Sequence, residues 1–380
     1  MSKNNTVFIG ENKKFRDRNR RSGGYLLKKR SAQIAISIVR GLLVFGLCFM
    51  IIQPLITRFA MGLMKESDLY DSTIILLPRN VTLDNYWIVA ELTKLKNVTH
   101  VAETGWRVWD SSLFNTLWVS LVVSACQIIS CTLVAYGFAR YEFKGKKFWF
   151  GCVIALIIIP PQTIQSALYT NFARFDLLKI FTLFGVDAEG LTFGQRLLSV
   201  VDGTGTGIIK LLTGSTLNLR SSILAYVLLC ITCMGLKDGL YIYMMRQYFQ
   251  SIPTSLEEAA YVDGCGTLHT FAKIMLPDAL PTIASCFLFS FVWQWTDIFY
   301  TRIFLPYNAL PMFSEQMSSM VSRMGRYFSA DAANAVVVSN GRQQQLLAIA
   351  VLICAIPLII LYLFTQRTFV ESLASSGSKE

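Results

Sequence analysis

Charge is scarce in this sequence. Asp, Glu, Lys and Arg make up 16% of its 380 residues, against about 25% in a typical soluble domain, while hydrophobic residues reach 53%. That balance argues against a water-soluble globule. Histidine is scarcer still, limited to His100 and His269. No HExxH pair, GxSxG elbow or cluster of histidines with carboxylates occurs, so neither an enzyme nor a metal centre is expected. The nucleotide pattern G-x-x-x-x-G-K-[ST] is missing as well. The glycine-rich run Asp-Gly-Thr-Gly-Thr-Gly at 202–207 lacks its spacing and reads as an external turn. Any ATP-driven work would therefore fall to a separate polypeptide. A cleavable signal peptide is not expected either, because the first apolar run starts only at Ile34 and exceeds the 7–15 residues of an h-region.

What the chain has instead is long apolar stretches. Six of them, near 34–57, 112–138, 148–171, 223–245, 283–305 and 345–366, reach the ~20 residues a helix needs to cross ~30 Å of hydrocarbon. Lipid offers no hydrogen-bond partners, so segments of this length are expected to be helices that bond their own backbone. The fold class that follows is an all-α integral membrane protein with six transmembrane helices. Eight of the nine cysteines, Cys48, Cys126, Cys131, Cys152, Cys230, Cys233, Cys286 and Cys354, fall inside these runs, and Cys265 falls in a loop. None is placed for an extracellular disulfide. The Cys230-x-x-Cys233 pair sits among Leu, Ile and Met and reads as packing.

The net charge of +11 is distributed unevenly. If segments 1–33, 139–147, 246–282 and 367–380 lie inside, they hold 18 basic against 9 acidic residues, while 58–110, 172–222 and 306–344 outside hold 14 against 13. Basic residues stay on the cytoplasmic side, so both termini are expected in the cytoplasm. The basic tract at 13–30 is expected to touch anionic lipid, with no nucleic acid as partner. The expected layout is a basic segment 1–33, a first span 34–57, an outer loop 58–110, a transmembrane domain 111–366 with an enlarged outer loop 172–222, and a tail 367–380.

The inner loop 251–277 carries the most local information. Pro253 with Thr254 or Ser255 predicts a helix start, and the Thr254…Glu257 and Ser255…Glu258 spacings both fit a capping box. Gly264 and Gly266 predict its end. Thr267 predicts the cap of a second short helix, from Leu268 to Leu276, halted by Pro277. Small Ala259 and Ala260 would let another surface approach, with Glu258 offering a charge for register. On physical grounds alone, an ordinary amphipathic connection fits equally well.

This stretch resembles the EAA loop of ABC-importer permeases, E-A-A followed by a glycine and then by I-x-L-P. Here Glu258-Ala259-Ala260 precedes Gly264 and Ile274-Met275-Leu276-Pro277. From about Ser111 onward the chain is similar to maltose-type carbohydrate permeases. Asn115-Thr116, Ala135-Tyr-Gly-Phe-Ala-Arg140 with Phe143-Lys-Gly145, Pro160-Pro-Gln162, Arg246-Gln-Tyr-Phe249 and Gln366-Arg-Thr-Phe-Val-Glu371 carry the likeness. The family's W-N-D reads Trp295-Thr-Asp297 here, and loop 172–222 is longer than usual. The resemblance implies a type I ABC importer permease fold in a bacterial or archaeal cell membrane, importing sugars or oligosaccharides by alternating access. It further implies a second homologous permease subunit, ATPase subunits that hold the ATP and Mg, and an extracytoplasmic solute-binding protein. No cofactor is expected in this chain. Glu257, Glu258, Ala259, Ala260, Asp263, Gly264, Ile274, Leu276 and Pro277 are the residues it implies for coupling to the ATPase. An importer of amino acids, peptides or phosphate shares that loop, and a secondary transporter needing no ATPase is the alternative from another class.

Charges inside the spans are the remaining signal, since each costs ~2.5–3.5 kcal/mol at mid-bilayer and is expected to face protein or water. Lys237, Asp238, Asp297 and Arg302 qualify. Lys237 and Asp238, as helix neighbours, would point about 100° apart and not neutralise one another. Arg302, near the outer end, is expected to snorkel. Asp297, beside Trp293 and Trp295, suits either a structural hydrogen-bonding role or a sugar-binding pathway lined by these three residues.

Overall fold

The computed structural model describes residues 25–71, 73–74, 77–95, 111–176, 192–201, 208–213, 218–219, 222–305, 310–329 and 337–377. The glycine run at 202–207, His100 and most of the basic tract lie outside them. Two units are distinguished, Met1–Thr82 and Leu83–Glu380.

In the first unit, helix α1 (Tyr25–Leu63) carries a long apolar stretch with Pro54 inside it. Just beyond its end, the loop folds back through a bridge between Met64 and Val81. Asp68 fastens this bracket by accepting from the Asn80 backbone N–H at 2.7 Å and from Asn80 Nδ2 at 3.0 Å. The backbone bond, above all, holds the Asp68 carboxyl below its ordinary value.

The second unit is all helical among its described residues. It includes α2 (Asp84–Leu92), α3 (Ser112–Arg140), α4 (Lys146–Ile158), α5 (Gln165–Ala173), α6 (Ile223–Ile231), α7 (Asp238–Ser251), α8 (Thr254–Val262), α9 (Leu276–Thr296), α10 (Phe299–Phe304), α11 (Phe313–Ser318), α12 (Met320–Tyr327) and α13 (Asn340–Gly377), with two further short helices, Phe193–Val201 and Ile208–Thr213, between α5 and α6. Helix α3 is the hub, packed against α6, α7 and α9. Cys131, Ala135, Tyr241, Met245, Phe249 and Met275 make one buried cluster along it, and Val123, Tyr226, Leu229, Tyr300 and Phe304 make another.

Four helices among the described residues are long and apolar enough to cross a membrane, Ser31–Leu63, Ser112–Arg140, Thr267–Thr296 and Asn340–Gln366, where six spans are predicted from the sequence. The other two stretches are helical but interrupted. The run 148–171 breaks where Pro160 and Pro161 remove two donors, and Ile159 is driven to an extended ψ of 120° before resuming as a 3₁₀ turn, Pro161–Ile164, and α5. The run 223–245 breaks between α6 and α7, with Cys233 and Lys237 at φ of 58° and 68°. Each left-handed non-glycine residue costs on the order of 1–2 kcal/mol, and side chains of α3 help hold the break in place. Ser130 Oγ donates to Ile231 O at 2.5 Å and Gln127 Nε2 donates to Leu236 O at 2.8 Å, so carbonyls freed by the break keep partners.

The predicted second short helix of the inner loop does not end before Pro277. The chain turns helical at Thr267–Thr270, passes through a π turn at Phe271–Met275 and runs on into α9. In the π turn the Leu276 N–H reaches Phe271 O, one residue further back than in an α-helix, and Pro277, which has no N–H to place, is carried inside the helix.

Candidate functional site

Helix α8 starts after Pro253, but neither capping-box bond forms, because no side chain caps its first turn. Glu257 turns inward instead. Its Oε1 accepts from the Tyr136 hydroxyl at 3.1 Å and lies 3.2 Å from Arg140 Nε, with the two charged side chains only 11% and 9% exposed. The Nε contact is ionic without an aligned hydrogen bond, while Arg140 Nη2 donates to Ile252 O at 2.8 Å. The end of α3 is thereby tied both to α8 and to Ile252, two residues before it. Beneath, Tyr136 packs on Phe249 and Phe271 with ring centroids 5.5 and 4.7 Å apart.

The far end of α8 is closed by Gly264 at φ of 85°. Cys265 N–H bonds Ala260 O at 2.9 Å and Gly264 N–H bonds Tyr261 O at 3.1 Å, the paired reverse bonds of a Schellman stop. Gly266, with φ of −75°, needs no glycine for its conformation.

The residues expected to couple to a partner divide by face. Ala260 is buried within the chain's own bundle, as is Glu257, whereas Glu258, Ala259, Asp263, Gly264 and Pro277 are exposed and Ile274 and Leu276 are half-buried. Ala260 therefore serves internal packing, not an approaching surface. Beside the exposed group stand two apolar side chains the motif does not include, Val262 at 86% and Leu268 at 85% exposure. The sequence signal for them is an apolar residue on each side of the Asp263–Gly266 polar turn, in a loop that lies outside the predicted spans.

A second constellation lies midway along α3. Gln127 Nε2 donates to Asp238 Oδ1 at 2.5 Å, and its Oε1 accepts from Ser290 Oγ at 2.5 Å and Gln294 Nε2 at 3.2 Å. Gln294 Oε1 in turn accepts from the Tyr226 hydroxyl, which also lies 3.3 Å from Asp297 Oδ2. The Gly235 N–H donates to Asp238 as well. One buried polar chain therefore runs from the break between α6 and α7 to the break between α9 and α10. At its far end Asp297 caps α10, accepting from Phe299 N at 3.2 Å and Thr301 N at 3.0 Å, while its own carbonyl accepts from Ser314 Oγ at 2.8 Å.

Trp293, Trp295 and Asp297 consequently do not share a face. Trp295 is buried and donates from Nε1 to Cys354 O at 3.2 Å, Asp297 is buried in its cap, and only Trp293 stands exposed, with the Lys237 ammonium 5.1 Å from its ring centroid. Arg302 is half-exposed and donates to Ser318 Oγ at 2.7 Å, with Glu315 3.7 Å away.

Residues 128–374, which include both constellations apart from Gln127, match the family described as binding-protein-dependent transport system inner membrane component. The chain belongs to this family. Relatives include the arabinooligosaccharides transport system permease protein AraQ of Halalkalibacterium halodurans, 22% identical over 88% of this chain and 93% of that protein. The maltodextrin transport system permease protein MdxG of Bacillus subtilis is 24% identical over 72% of this chain and 78% of its own length. The fold is similar to that of a chain in the crystal structure of a bacterial ABC transporter involved in alginate import, with a TM-score of 0.55 at 16% identity, covering 88% of this chain and 96% of that one. A membrane-embedded transport component is thus the setting in which the two constellations have to be read.

Proposed function

We propose that this chain is a pore-forming permease subunit of an ATP-driven, binding-protein-dependent importer of sugars or oligosaccharides. The observation that carries the reading is the outer face of α8 and its following turn. Glu258, Ala259, Val262 and Leu268 present two almost fully exposed apolar side chains beside a charge, at the loop where the family's coupling motif falls. Such a surface suits a docked ATPase subunit that holds ATP and Mg, with a second permease subunit completing the pore and a solute-binding protein delivering sugar at the outer mouth. The carbohydrate assignment is supported by relatives whose names specify arabinooligosaccharides and maltodextrin.

In this reading, ATP-driven closure of the ATPase pair moves α8, and the Arg140–Glu257 pair passes that movement to α3 as a rigid-body shift between inward- and outward-open states. Contacts at α8 must differ between the two states, or ATP binding could not bias them. The inner loop faces the cytoplasm, as do both termini of a chain residing in a bacterial or archaeal cell membrane. The test is co-purification of an ATPase with the wild-type chain and with a Val262→Asp, Leu268→Asp double variant. Loss of the ATPase from the variant, with membrane insertion intact, is expected; retention at the wild-type level would remove this surface from the coupling role.

A further inference from the structure

Four charged residues fall within the interrupted stretches 223–245 and 283–305, and the structure accounts for three. Asp238 is held by Gln127, Gly235 and the Cys131 thiol, Asp297 by its capping bonds, and Arg302 by Ser318 and Glu315. Lys237 differs. It stands midway between Ile223 and Ser251, half-buried, at a φ of 68°. Among the described residues it forms no ion pair, and its partner is the ring of Trp293, whose own surface is 46% exposed. An ammonium inside a span predicted from the sequence is too costly to face hydrocarbon, which leaves water, a solute or the second permease subunit for the open side of the pair.

We propose that Lys237 and Trp293 form a subsite for the acidic group of an anionic saccharide, which makes the solute an acidic oligosaccharide. The ammonium pairs with a carboxylate or sulfate on the sugar, and the exposed indole surface packs on the C–H face of the adjoining ring. Two features fit an anion in particular. Among the described residues the cation has no carboxylate of its own, leaving its charge available, and aromatic contact holds it in place without neutralising it. This deepens, and rests on, the reading of the chain as an oligosaccharide permease.

The experiment uses the full chain, with the subunits that co-purify, in nanodiscs. Binding of trigalacturonate, a monosulfated maltotriose and neutral maltotriose is measured by equilibrium dialysis and tryptophan fluorescence. The wild type is expected to bind at least one acidic trisaccharide about tenfold or more tightly than maltotriose. That preference falls about tenfold in Lys237→Gln and persists in Lys237→Arg, while Trp293→Ala weakens acidic and neutral probes alike. The two acidic probes separate carboxylate from sulfate as the recognised group. Equal affinity for acidic and neutral probes, absence of binding by both acidic probes, or a preference that survives in Lys237→Gln overturns the subsite. Dissociation of the co-purified subunits by Lys237→Gln also overturns it, assigning the lysine to an interface. Failure of the permease reading shows separately, as absence of an ATPase from the wild-type preparation.

Discussion

Replacing Glu257 with alanine removes the acceptor that joins α8 to the end of α3. Breaking a buried ion pair by deleting one partner typically costs ~3–5 kcal/mol, mostly because the other charge is left uncompensated. The lower end applies here, because Arg140 keeps its 2.8 Å bond to Ile252 O and its Nε contact with Glu257 is not an aligned hydrogen bond. A loss of about 3 kcal/mol corresponds to about 150-fold in the equilibrium between docked and detached α8. Amide exchange of the peptide covering 254–263 reads that equilibrium directly, with exchange expected to accelerate by about that factor while peptides from α6 and α13 stay unchanged. Glu257→Gln should fall between, since a neutral amide oxygen still accepts from Tyr136 at the same position. The Arg140→Gln, Glu257→Gln double variant should be less destabilised than the sum of the two singles. Exchange in α8 within about threefold of wild type in Glu257→Ala would refute the idea that this pair fastens the helix.

Other consequences are equally specific. Gly264→Ala meets no atom within 4 Å, so its penalty is the backbone's alone, about 1–2 kcal/mol for a left-handed residue; it should reduce ATPase-coupled uptake in proteoliposomes without changing membrane insertion. Asp297→Ala should lower thermal stability of the purified chain by unbonding the first turn of α10, and Asp297→Asn should restore most of it because its amide oxygen still accepts. If transport fails in Asp297→Asn while stability stays at the wild-type level, the carboxylate has a role beyond the cap. Asp68, whose carboxyl is held below its ordinary 3.8, contributes stability to the Met64–Val81 bracket that is present above 3.8 and is lost as pH falls through its lower folded value. Exchange of the Asn80 amide, corrected for intrinsic rate, should rise over that acid range and at all pH values in Asp68→Ala.

Apolar length located every long helix, because ~20 residues of hydrocarbon thickness dominate all local preferences. The starts and stops inside those runs were less legible. Pro160 and Pro161 announce their interruption, but nothing in Thr232-Cys-Met-Gly-Leu-Lys237 announces that Cys233 and Lys237 adopt positive φ; that conformation depends on Ser130 and Gln127 from α3, more than 100 residues away. Gly264 was legible as a stop, since the Schellman geometry calls for glycine. The capping box was misleading for the opposite reason: Glu257 has a local partner within reach, yet Arg140 and Tyr136 offer a buried site that a one-dimensional pattern does not contain. Asp297 beside two tryptophans fits either a structural hydrogen-bonding role or a lined pathway; helix periodicity turns Trp293 outward and Trp295 inward, and Asp297 accepts from the backbone of α10.

The continuous helix through Pro277 gives the inner loop a lever. Residues Thr267–Thr296 form one span of 30 residues, about 45 Å from tip to tip. Leu268 sits at its inner tip and Trp293 near the other end, so a tilt of about 5° that leaves the inner tip fixed sweeps the far end by about 4 Å. The arm is not evenly stiff. Pro277 and Pro281 each delete a backbone bond in the inner half of the span, and the π turn lies just before them, so bending concentrates there and the outer part moves as one piece. Softness between the loop and the working end means that the outer part of the span, with Trp293, can swing without carrying α8 along with it.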